Sequence, residues 1–563
     1  MNREAAMAWL RTRREVSVLI VGAGINGIGT FRDLALNGVD VLLIDRGDFC
    51  GGASAASSHM AHGGIRYLEN GEFRLVREAV QERNLMIQNA AHIVRPLPTT
   101  IPIFRRLSGL LNAPLKFLGW LDRPSERGSL VIKVGLMLYD AYTGKKRVVP
   151  RHRFMNRTES LGRWPLLNPD IVNTATYYDG AILQPERLGV ELVLDAEDGN
   201  PEAVAINYMS LEGRKGEAVV LRDGPTGNEF EIRPRLLINA TGPWIDLSNE
   251  RLGSRTRFIG GTKGSHVVLA HAELREAIGD HEFFFENQDG RIVLIFPLFD
   301  RVLIGTSDIP VGDPDDVRCT DEEVEYFLGL VKRVFPSIQV DRSQIVFRFS
   351  GVRPLAKSES KTTGQISRDH EICFTGDGAG EPPFPVYSLV GGKWTSWRAF
   401  AEQVTDRTLD RLGRSRSAGT QMMPIGGGKG YPTTEAERAK QVQRIAKSAV
   451  IPIQRAERLF ERYGTRAQAV ADYVRRGADQ DLKALPEYSR REFQWLAEGE
   501  KVAHLDDVLL RRTMLAMLGK LSRSTVAEIA EALAPALGWN AEETDSETRR
   551  ALEILKTHHQ VEL

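Results

Sequence analysis

Between Ser57 and Asn84 the chain reads SSHMAHGGIRYLENGEFRLVREAVQERN. His59, His62, the pair Gly63–Gly64, Arg66 and Tyr67 crowd into its first eleven residues. Histidine is the side chain that trades protons near neutrality, and arginine is the preferred donor to carboxylate and phosphate. A glycine pair among them lets the backbone itself approach a ligand. The segment therefore suits proton transfer beside a bound anion.

A second set lies upstream. Gly22-x-Gly24-x-x-Gly27 follows the β-branched run VSVLIV, opens a helical pattern, and is followed after about twenty residues by Asp45. In that context the glycines admit a pyrophosphate, the helix N-terminus favours its charge, and the acid takes ribose hydroxyls. FAD fits better than NAD. After Asp45 comes RGDFCGGASAASSHMAHGG, long and small, where an NAD fold usually starts its next helix. Two later glycine elements point the same way: LINATGPW, with Ala240, Thr241 and Gly242 at a strand end, and GGKWTSW, whose helix N-terminus would be aimed at a flavin ring.

The elements that must hold these residues follow from patterning. Val16 to Asp45 reads as a βαβ unit, with Gly38 ending the helix, and a second helix is expected over roughly 72–91. The stretch 171–348 reads mostly as strands and turns. RSRSAGTQMMPIGGGKGY, 414–431, has the composition of a linker, and the pattern beyond it is helical. At 563 residues two or three domains are expected. Zero net charge gives no electrostatic footprint for nucleic acid. Three scattered cysteines argue against a zinc site or disulfide framework and fit a reducing compartment. No apolar run approaches the ~20 residues of a spanning helix, and no signal peptide is evident. The Leu/Trp/Lys stretch 107–121 reads either as an interfacial element or as a packed cap helix. The doublets at Lys145 and Arg511 read as solvated faces.

With these residues in view the chain resembles the FAD-dependent glycerol-3-phosphate dehydrogenase family, quinone-linked or oxidase type. The resemblance rests on VGAGINGIG, SSHMAHGGIRYLENGEFRLVREA, NATGPW, TKGSHVV, SGVRPL, ISRD, GGKWTSWRAFAE and EKVAHLDDVLLRRT, in the family's order over nearly the whole length. His59 stands where members usually have lysine, and Trp397 where they usually have tyrosine. The resemblance implies an α/β flavin-binding domain of the glutathione-reductase/amino-acid-oxidase type (16–98, 165–250 and 346–410). An antiparallel β substrate cap (99–164 and 251–345), a linker (411–432) and an all-α C-terminal domain (433–563) complete it.

The implied activity is oxidation of sn-glycerol 3-phosphate to dihydroxyacetone phosphate, with electrons passed to quinone or oxygen. Residues expected at FAD are Gly22, Gly24, Asn26, Gly27, Asp45, Ser54, Ser57, Ser58, His62, Gly63, Ala240, Gly242, Gly392, Lys393 and Thr395. At the substrate the expectation is Arg66, Tyr67, Arg368 and Lys393, with His266, Arg353 and His62 in catalysis and His266 as the base. Arg353 shows no obvious partner in the sequence. No metal is implied. A cytoplasmic location is implied; peripheral attachment to the inner face of the cell membrane and a homodimer are left open. Rival readings are another polyol phosphate as substrate, an amine or amino-acid oxidase, and a non-catalytic flavin scaffold at a membrane surface.

Overall fold

The run that opens the chain's first glycine motif is buried on both faces. In a computed structural model, which describes residues 1–65, 72–105, 129–142, 148–286, 292–357, 369–376 and 381–563, it forms the strand Glu15–Val21. Such a run suits the centre of a parallel sheet, where helices cover both sides. The neighbours are Val41–Ile44 on one side and Glu229–Asn239 on the other, both parallel to it. The sheet continues to Ala203–Ile206 at one edge and through Val386–Val390 to Glu371–Thr375 at the other. The helix Ile25–Leu36 crosses from the first strand to the second, ends at Asn37 and leaves Gly38 at φ +71°.

The second sheet is mostly antiparallel. Its core is the long pair Val94–Ile103 with Asn173–Ile182, joined by Glu282–Glu286, Ile292–Leu298, Arg301–Gly305 and Thr262–Leu269. Ile345–Arg353 pairs along the whole of Thr262–Leu269. The strands Asn173–Ile182 and Ile345–Arg353 thus run in this sheet, although their ranges were expected in the FAD-binding unit. The helix Phe73–Asn89 matches the expected one.

Two long helices, Pro185–Gly199 and Asp321–Val334, and two short ones, Ile245–Arg251 and Ala272–Ile278, interrupt the region expected as strands and turns. The first has thirteen of its fifteen residues buried, so it lacks the polar stripe by which a helix is recognised. The linker composition is misleading too. Arg416 pairs with Asp33, Asn37 accepts from the amides of Ser417 and Ala418, and Gly426–Gly428 are buried against Glu191 and Asp195. The segment is packed, not a spacer. Beyond it, helices from Glu435 to His559 enclose their own apolar core.

Candidate active site

The cofactor end is built from close approaches that only glycine permits. Gly22 has φ +103°, and a Cβ there would stand 2.5 Å from the Ala240 carbonyl oxygen. At Gly27 a Cβ would strike the Gly22 carbonyl, so strand, turn and helix meet without side chains between them. Gly24 caps the helix Ile25–Leu36 with no side chain, and the first turn carries no acid. No acidic side chain competes for its N-terminal N–H groups, which suit an anion. Ser54 Oγ takes one of them, from Ile25, at 2.9 Å.

Asp45 follows the second strand, and its carboxylate accepts from Ala23 N at 2.7 Å and Gly47 N at 2.9 Å. Burial pushes its pKa up to about 6 against those two bonds. A neighbouring diol would add donors and favour the ionised form. Asn26 Nδ2 donates to Gly391 O at 3.0 Å, while its Oδ1 is buried with no partner and would lie 2.8 Å from a Cβ at Gly392. A bare helix terminus, a carboxylate at the strand end and an orphaned buried acceptor fit FAD: Gly22–Gly27 would hold its pyrophosphate and Asp45 its ribose hydroxyls.

The histidine–glycine segment is tied down from three directions. Thr395 Oγ1 donates to the His62 carbonyl at 3.1 Å. Gly63 N donates to Asp179 Oδ1 at 2.9 Å, and the Tyr139 hydroxyl donates to the same oxygen at 2.5 Å. Arg83, fully buried, donates to the Tyr139 hydroxyl and to Tyr178 O. Sequence reasoning did not find Asp179, Tyr139 or Arg83; the one signal was a lone acid inside the strand sequence NTATYYDGAI. Trp394 Nε1 donates to Ser54 O, joining the second glycine loop to the first. The helix after this loop starts at Trp397, so Lys393 precedes it by a turn and does not sit at its N-terminus as expected.

The strand Thr262–Leu269 presents His266, 2% exposed, with Nε2 2.8 Å from Ser58 Oγ and the ring stacked on Phe349 at 4.9 Å. Its Nδ1 is buried without a partner. Burial first, then the charges of Arg353 and His59, hold its pKa well below 6.5. Ser58 is thus engaged by His266, and Ser57 Oγ by the His59 amide. His59 is fully buried at φ +55°, its Nδ1 on Ile182 O, and burial lowers it to about 4.

Arg353 lies over Gly264, where a Cβ would strike its guanidinium. Contrary to expectation it has partners: Asp308 at 3.2 Å, Thr306 Oγ1 at 2.8 Å and Ser307 O at 3.0 Å. These fix the fork in one orientation. Lys263, three residues from His266, is consumed by a buried ion pair with Glu323 at 2.8 Å. The expected substrate residues Arg66, Tyr67 and Arg368 lie outside the described residues, as do Lys145 and the stretch 107–121.

The family model for FAD dependent oxidoreductases matches residues 17–391, and that for the C-terminal domain of alpha-glycerophosphate oxidase matches 418–544. A glycerol-3-phosphate dehydrogenase from Synechocystis is 31% identical over 96% of both chains. One from Pseudomonas aeruginosa is 32% identical over 89% of this chain and 92% of its own. Among solved structures, the FAD complex of the Bacillus halodurans glycerol-3-phosphate dehydrogenase superposes with a TM-score of 0.75 at 22% identity, covering 98% of this chain and 97% of that one. With the glycine cradle, Asp45 and the second sheet in the places that a flavin enzyme requires, and with relatives of this identity along nearly its whole length, the chain belongs to the FAD-dependent oxidoreductase family that includes the glycerol-3-phosphate dehydrogenases.

Proposed function

We propose that the protein oxidises sn-glycerol 3-phosphate to dihydroxyacetone phosphate and passes the electrons to quinone or another acceptor. Bound FAD supplies the hydride acceptor. The observation that carries the reading is a neutral, buried histidine beside a fixed guanidinium. His266 and Arg353 belong to paired strands, with Thr262 opposite Arg353 and Phe349 opposite His266. Oxidising a secondary alcohol leaves a proton that a base must take, and His266 is unprotonated at neutral pH. The substrate's phosphate needs an oriented donor, and Arg353 is held ready by Asp308, Thr306 and Ser307. Lys393 and His62, on the two loops that Thr395 joins, are the further groups we assign to this side of the site.

The test is anaerobic titration of the holoenzyme with glycerol 3-phosphate, glycerol and a small amino acid. Loss of the oxidised flavin absorption with the phosphorylated polyol alone is the expected result. Equal bleaching by the amino acid would transfer the protein to the amine-oxidising branch.

The same reading places the protein against a membrane surface, where a quinone resides. The helix Ser129–Tyr142 supports this: Leu130, Val134, Met137 and Leu138 are 48, 52, 57 and 41% exposed. Spaced at i, i+4, i+7 and i+8, they form one apolar face. No helix among the described residues is long and apolar enough to cross a membrane. Sedimentation with anionic phospholipid vesicles, lost when Val134 and Met137 become serine, tests the contact.

A further inference from the structure

The arginine doublet Arg511–Arg512 was expected on a solvated face, but Arg512 is buried and Arg511 nearly so, its side chain 12% exposed. Arg512 is 2% exposed, and both guanidiniums converge on one carboxylate, that of Asp48. Arg512 Nη1 and Nη2 donate to Asp48 at 2.6 and 3.0 Å, Arg511 Nε donates at 2.6 Å, and Asn207 Nδ2 adds a fourth bond at 2.9 Å. Asp48 is three residues beyond Asp45. It lies in the loop whose Gly47 N caps the Asp45 carboxylate and whose Cys50 N bonds to Ala23 O in the glycine turn.

The arginines are themselves fixed inside the helical domain. Arg511 also meets Asp506 and Asp507, and Arg512 Nε donates to the Glu500 carbonyl. Glu500 grips Arg187 through two bonds, at 3.0 and 2.6 Å. Tyr208, whose amide donates to Gly47 O, sends its hydroxyl to Asp507. Every strong contact that the Asp48 side chain makes, apart from Asn207, comes from the helical domain.

We propose that the helical domain is a cofactor-positioning element: Arg511 and Arg512 hold Asp48, and through it fix the loop that shapes Asp45 for the ribose of FAD. The inference rests on placing that ribose at Asp45. Removing a charge-assisted partner inside a protein exposes the others to the full desolvation penalty. With the carboxylate neutralised, two buried guanidiniums repel and the loop loses its anchor. Coupling of this kind is reciprocal, so docking of the helical domain and retention of FAD strengthen one another.

The experiment measures the rate at which holoenzyme releases FAD after dilution, separating free from bound flavin, together with the thermal midpoint of each variant. Asp48→Asn is isosteric, and Arg512→Lys keeps the charge but loses the fork. Glu492→Gln weakens a pair with Arg462 within the helical domain, touches neither Asp48 nor the two arginines, and serves as the stability control. Asp45→Ala tests the ribose placement separately.

Asp48→Asn should release FAD about tenfold faster or more, as loss of a charged hydrogen bond implies, with Arg512→Lys between it and the parent. Glu492→Gln should destabilise without that acceleration. The proposal is overturned if Asp48→Asn releases FAD at the parent rate while Asp45→Ala is fast, or if Glu492→Gln accelerates release as much for the same fall in midpoint. Parent-like retention by Asp45→Ala sinks the ribose placement, and the positioning role of Asp48 with it.

Discussion

Replacing His266 by glutamine tests the proposed chemistry most directly. Glutamine keeps a polar atom that can reach Ser58 Oγ, now 2.8 Å from the ring, but it takes no proton. The ring is buried, stacked on Phe349 and packed against the backbone of Gly305, so alanine would leave a cavity and confuse stability with catalysis. A positioned base contributes typically ~10²–10⁴-fold, so flavin reduction by glycerol 3-phosphate should slow by about that factor.

The pH profile adds a second constraint. Burial, Arg353 and His59 all oppose protonation of His266, so its base-competent form persists below 6.5. The parent should therefore reduce flavin at a steady rate down through about pH 6.5 and fall only in more acidic solution. In the variant that acid fall should vanish with the base. The assay is anaerobic stopped-flow absorbance from about pH 5 to about pH 9, with FAD content measured on the same samples. A glutamine variant within about threefold of the parent at full FAD occupancy would refute the assignment. If His62→Gln instead takes the loss, the base sits in the glycine segment.

Three further outcomes follow from the same geometry. Gly24→Val places a branched side chain at the bare cap of the helix Ile25–Leu36, where Ser54 Oγ already stands 3.3 Å from a Cβ, and the protein should be purified with little flavin by absorbance. Arg353→Gln should weaken glycerol 3-phosphate roughly tenfold or more while leaving free glycerol nearly unaffected. It should also move the acid limb upward, because one of the charges depressing His266 is gone. Asp179→Asn strips the charge that draws in Gly63 N–H and the Tyr139 hydroxyl, and should cost ~1–3 kcal/mol of stability, read from denaturant melts. The accompanying fall in flavin reduction should exceed any change in FAD content.

How far the sequence carried depended on whether a signal was local. The first strand, glycine turn, helix and Asp45 lie within about thirty residues, as a βαβ dinucleotide unit does, and were placed correctly from periodicity and spacing. The helix Pro185–Gly199 was missed because its charges face inward. Arg187 goes to Glu500, Glu191 to His92, Asp195 to Arg32 and Lys429, and Glu197 to Lys501. Each partner comes from a remote part of the chain, and no periodicity within the helix announces them. The linker reading failed for the same reason. Its glycines are needed for close packing against Tyr463 and Asn89, which composition does not distinguish from the glycines of a spacer.

The segment Ser57–Gly64 shows where chemistry and architecture divide. Its residue types suggested direct contact with flavin and phosphate, yet Ser58 and Gly63 each bond another part of the protein, and so does the His62 carbonyl. Ser58 reaches the substrate sheet through His266, Gly63 reaches Asp179 in the long strand pair, and His62 reaches Thr395 in the second glycine loop. Pinned to three elements, the segment ties the second sheet to the second glycine loop. A displacement at any one anchor should therefore shift His266, the glycine pair and the second loop together. Such groups couple rather than add, so Asp179→Asn combined with His266→Gln should cost less in rate than the product of the two single losses.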